Sequence, residues 1–83
     1  NLYESNLQGA NFEKTDFTNA NLTRVNFTGA TLIEANFKNT NLMEANFTSS
    51  NMINASFEGA NLIGATWTNG ETCGPDSIGA CNK

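Results

Sequence analysis

The chain has 83 residues, a formal net charge of −4 and only 14% charged residues, with no histidine. Such a length admits one domain, and four basic residues are too few for a nucleic-acid footprint. Neither a signal-like apolar segment nor a run of about eighteen apolar residues is present, so nothing is expected to span a membrane.

From the first residues onward an apolar side chain recurs at every fifth position: Leu2, Leu7, Phe12, Phe17, Leu22, Phe27, Leu32, Phe37, Leu42, Phe47, Met52, Phe57, Leu62 and Trp67. Two places before each centre after the first stands a small or β-branched residue, as at Ala10, Val25, Thr40 and Ala65. One place before stands Asn or occasionally Asp, Thr or Ser. A period of five suits neither an α-helical stripe nor an alternating strand. Small residue in, Asn out, large residue in is a short extended piece; two outward positions then make a corner. Repeated, this predicts a solenoid whose inward residues stack on those of the next coil. The chain opens at Asn1-Leu2 inside a repeat and without Met, which suggests a mature product or an excised domain. An open coil end there is expected to invite self-association.

Ala10-Asn11-Phe12-Glu13-Lys14, Ala20-Asn21-Leu22-Thr23-Arg24 and Ala60-Asn61-Leu62-Ile63-Gly64 resemble the A-(D/N)-L-x-x motif of the pentapeptide-repeat family over residues 1–69. The resemblance implies an all-β fold, a right-handed quadrilateral β-helix. At four repeats per coil, residues 1–69 make about three and a half coils, with 70–83 as a C-terminal capping segment. In a twenty-residue coil, positions i and i+20 are stacked neighbours. Glu4 then adjoins Arg24, Arg24 adjoins Glu44, Lys14 adjoins Glu34 and Lys38 adjoins Glu58, all of opposite sign. At a separation of ten, Glu34/Glu44 and Lys14/Arg24 would be like-charged, so the charges support a coil of twenty. The same register makes two columns rich in aromatics, Leu7/Phe27/Phe47/Trp67 and Phe17/Phe37/Phe57, and predicts a filled interior without a pore or ligand cavity.

After Trp67 the metre stops. Thr68-Asn69-Gly70 and Gly74-Pro75-Asp76 read as turns, and the only two cysteines, Cys73 and Cys81, bracket the second. A redox or metal site is one reading, but two thiols without His or a Cys-x-x-Cys spacing suit zinc poorly. A disulfide closing the loop over the open coil end is the favoured one. The tail also resembles a terminal segment found on bacterial, including cyanobacterial, members of the family. Trp67 would cover the last coil and Ile78 would plug the same end. A disulfide implies the periplasm, thylakoid lumen or exterior, and its absence the cytoplasm.

No Ser–His or Cys–His pair exists without histidine, so no catalytic, cofactor-binding or metal residue is assigned, and neither a cofactor nor a small-molecule substrate is expected. The Asn before each centre is expected to satisfy nearby backbone groups. Just after the centres, Tyr3, Met43 and Ile63 fall on one outward column and Ile33 and Ile53 on the opposite one. Exposed apolar columns can mark an interface, and they can equally reflect β-propensity. The leading expectation is a non-enzymatic structural or protein-interaction module. A second reading is a DNA-mimicking inhibitor or protector of DNA gyrase, since some family members are long acidic dimers of that kind. This chain departs from them in being short, in pairing four of its six repeat-region acids with basic neighbours and in lacking a helical dimerisation segment. A third is an ice-binding solenoid presenting Thr28, Thr48 and Thr68.

Overall fold

The fold follows from where one repeat sends its five backbone N–H groups. A computed structural model describes residues 2–75 and 77–81. In the repeat around Leu22, the Leu22 amide donates to Asn41 O (2.8 Å) and the Arg24 amide to Met43 O (2.9 Å), both on the following coil. The Val25 amide turns back to Leu22 O (3.1 Å), and the Asn26 amide donates to Ser5 O (2.9 Å) on the preceding coil. The fifth, on Thr23, donates to the Asn21 side chain at 3.2 Å. Every donor of the repeat is thereby satisfied, as a buried or tightly coiled backbone requires.

The same bonds recur along the chain and set the register. Parallel bridges join Asn6 to Asn26, Asn11 to Thr31, Asp16 to Asn36, Asn21 to Asn41 and so on to Asn46 and Thr66, each twenty residues apart. A turn closes every five residues, so each coil turns four times. The result is a β-solenoid in which single bridged residues alternate with corners.

Each corner from Leu2 to Leu62 places a left-handed residue two places after the centre. Nine non-glycine residues there, among them Glu4, Lys14, Arg24, Asn39 and Asn54, have φ between 56° and 64°. With the hydrogen bond from the fourth residue back to the first, this is type II turn geometry, which favours Gly or Asn at that place. Gly9, Gly29, Gly59 and Gly64 meet the requirement without a Cβ. The Gly and Asn found at this phase are the sequence signal of the corner conformation.

Inside, the centres and the small residues fill the coil. Leu22, Phe27, Leu32, Phe37, Leu42, Phe47 and Leu62 are completely buried, as are Val25, Ala45, Ala60 and Ala65. Phe17, Phe37 and Phe57 form one nearly parallel stack, with centroids 5.0 and 5.1 Å apart. Phe27 and Phe47 form a second at 5.4 Å. The two ladders meet edge to face at about 6 Å across the interior, an arrangement that the ring quadrupoles favour. Trp67 ends the second ladder, 5.6 Å from Phe47 and turned by 68°.

The chain reverses at Gly70 (φ 86°) and runs back antiparallel along the last coil. Thr72 bridges Thr66 and Ile78 bridges Asn61. The amides of Leu62, Gly64 and Trp67, which in earlier coils would donate to a following coil, donate instead to Ser77 O (2.7 Å), Cys73 O (3.0 Å) and Glu71 O (2.7 Å). Cys73 and Cys81 are joined in a disulfide with Cα atoms 5.0 Å apart. Ile78 does not plug the end. It is 56% exposed, while Cys73 and Ser77 are the buried residues among the described part of the tail. An antiparallel strand turns alternate side chains to opposite faces, and this register puts Ser77 inward and Ile78 outward. Of the second expected turn, Asp76 lies outside the described residues, as do Asn1 and 82–83 of the terminal segments.

Candidate functional site

The Asn column is spent on the backbone. Asn6, Asn11, Asn26, Asn36, Asn41, Asn46, Asn51 and Asn61 each accept, through Oδ1, the amide two residues on at 3.0–3.2 Å. Asp16 does the same for Thr18 at 2.9 Å. Hydrogen bonds from the Thr18 hydroxyl and then from its amide hold the Asp16 carboxyl below its ordinary value. The threonine rank is engaged in a similar way: the hydroxyls of Thr28 and Thr48 donate to Asn26 and Asn46.

The charged corner is organised as the register requires. Arg24 Nε donates to Glu44 Oε1 at 2.7 Å, and Arg24 Nη1 reaches Glu4 Oε2 at 3.3 Å. Glu44 first, and then Glu4, push the guanidinium further up from an already high value. Lys38 pairs with Glu58 at 3.9 Å. The expected Lys14–Glu34 pair is not formed within 4 Å, although the Lys14 amide donates to Ile33 O at 2.8 Å and the two residues are stacked. Exposed side chains of this length lose as much entropy on pairing as the contact returns.

Of the five apolar residues of the two outward columns, Ile53 is 60% and Tyr3 47% exposed, while Ile33, Met43 and Ile63 are half-buried. The structure brings Ile33 and Ile53 together on adjacent coils, where the Glu34 amide donates to Ile53 O. It separates Tyr3 from Met43, because Thr23 occupies the intervening place in that column. Met43 and Ile63 remain neighbours, with the Arg24–Glu44 pair beside them. Among the described residues there is no pocket and no cluster of three metal-ligating groups. No helix among them is long and apolar enough to cross a membrane.

The repeat phase, the coil register and the Asn bonds bear directly on comparison with known proteins. A family model described as Pentapeptide repeats matches residues 1–39 and 40–66, in eight copies. The chain belongs to the pentapeptide repeat family. Among solved structures, a pentapeptide repeat protein from the Arabidopsis thaliana thylakoid lumen is 32% identical, with a TM-score of 0.42; the match covers 82% of this chain and 51% of that one. HetL, a pentapeptide repeat protein involved in heterocyst differentiation regulation in the cyanobacterium Nostoc sp., is 25% identical, with a TM-score of 0.33, over 86% of this chain and 38% of that one. This pentapeptide repeat chain thus spans about half or less of the length of these two proteins. No curated protein matches it.

Proposed function

We propose that this pentapeptide repeat protein is a non-enzymatic structural or interaction module, a right-handed quadrilateral β-helix that presents apolar corner residues to a protein partner. Residues 1–69 form the presenting solenoid and 70–83 its cap. The observation that carries this reading is the 60% exposed Ile53, stacked on Ile33 of the preceding coil, where the Glu34 amide donates to Ile53 O. Large apolar side chains held at fixed spacing on a rigid surface suit recognition. Met43 and Ile63 extend the surface to a second corner, and Tyr3 stands beyond Thr23. The Cys73–Cys81 disulfide suits an oxidising compartment, such as the periplasm, thylakoid lumen or exterior.

The test is a paired set of variants, Ile33→Lys with Ile53→Lys and Met43→Lys with Ile63→Lys, compared with the parent chain. Their sedimentation and their capture of proteins from periplasmic or lumenal extract would be measured. Loss of a captured partner, or of self-association, in one variant and not the other supports the reading. A monomeric parent that captures nothing overturns it.

A further inference from the structure

The tail is tied down in two unequal parts. The first, Glu71–Cys73, carries three backbone hydrogen bonds to the coil, Trp67 to Glu71 O, Cys73 to Ala65 O and Gly64 to Cys73 O, and it buries Cys73 to 2% exposure. The second, Ser77–Cys81, carries two among the described residues, Leu62 to Ser77 O and Gly79 to Ala60 O; it buries Ser77 completely and ends on the disulfide. The two cysteines differ in burial: Cys73 is buried, and Cys81 is partly buried against the core.

We infer that the disulfide is a redox latch on the second part of the tail: its reduction frees residues 77–81 and bares the coil edge at Ala60–Leu62, while the first part stays in place. A dithiol reductant supplies the electrons. One of its thiolates attacks Cys81 Sγ, on the less buried cysteine. The Cys73–Cys81 bond breaks, and Cys73 leaves as a thiolate and takes up a proton. The second thiol of the reductant then displaces Cys81 from the mixed disulfide, leaving two cysteine thiols and an oxidised reductant. Cys73 remains buried between its bonds to Gly64 and Ala65. The arm beyond it then lacks its covalent end, and the Leu62 amide loses its tie to Ser77 O. Local opening of this kind is read by hydrogen exchange.

The experiment is amide exchange, residue by residue, on the oxidised chain, on the chain treated with dithiothreitol, and on Cys81→Ser. Reduction is expected to speed exchange at Leu62 and Gly79 by about tenfold or more, with Gly64 and Cys73 changed by less than about threefold and Leu42 unchanged. Cys81→Ser is expected to show the reduced pattern and no response to dithiothreitol. Free-thiol titration of the treated parent is expected to find both cysteines. Unchanged exchange at Leu62, equal loss at Leu62 and Gly64, loss reaching Leu42, or failure of the dithiol to open the bond each overturns the latch. The parent chain reduced in place carries the test even if the variant does not fold.

Discussion

Phe17 and Phe37 stack with ring centroids 5.0 Å apart and planes within 6°, although twenty residues of chain separate them. Phe57 continues the stack beyond Phe37 at 5.1 Å, so Phe37 is enclosed on both sides and completely buried. Phe37→Ala is expected to lower stability by about 3–5 kcal/mol and Phe37→Leu by clearly less, because leucine fills more of the vacated space. Urea unfolding of both variants checks the order.

The Asn at the bridge position closes the one amide that the coils leave unpaired. Asn36 accepts the Lys38 amide at 3.0 Å, and Asn36→Ala is expected to cost about 1 kcal/mol. Thr31, Ser56 and Thr66 hold the same place without making this bond, so Thr31→Asn is expected to recover about 0.5–1 kcal/mol. Denaturation midpoints of the two variants should move in opposite directions.

Asp16 makes part of the stability depend on pH. Its folded-state pKa is depressed by the Thr18 hydroxyl and amide, so the unfolded chain binds the proton more readily. The contribution is present above the ordinary aspartate value of 3.8 and is lost as pH falls through the lower folded value. Asp16→Asn keeps the acceptor and removes the titration. Parent and variant melting temperatures are expected to converge on acidification from neutrality to below about pH 3.

Two glycines separate backbone strain from collision. Gly29 and Gly59 share a φ of 69°, but a Cβ on Gly29 meets nothing within 4 Å, whereas one on Gly59 meets Asn39 Oδ1. Gly29→Ala is expected to cost about 1 kcal/mol from the left-handed backbone alone. Gly59→Ala is expected to cost more, and Asn39→Ala in the same chain should remove the excess. A double-mutant cycle on unfolding free energies measures it.

Ser50 and Thr40 are both buried hydroxyl residues of the small-residue columns. Thr40 Oγ1 donates to Phe17 O at 2.7 Å, while Ser50 Oγ has no partner. Ala10 and Ala30 precede Ser50 in its column. Ser50→Ala is therefore expected to raise stability by about 1 kcal/mol, and Thr40→Ala to lower it by a similar amount. Calorimetry on the two variants should give melting temperatures on either side of the parent.

Period, register and core are legible in the side chains repeat by repeat. A five-residue metre can be met only by side chains that are repeatedly inside or outside, and the opposite charges of Glu4, Arg24 and Glu44 mark which repeats are neighbours. These properties are written in side-chain chemistry at each repeat. The folded structure decided that Lys14 does not pair with Glu34, and that Ile78 faces outward while Ser77 is buried. It also decided the path of the tail. That path is set by amides of Leu62, Gly64 and Trp67 seeking acceptors at the last coil, and a backbone amide looks the same in every residue. The need for those acceptors leaves no mark on the sequence, so only the folded coil shows where the tail must lie.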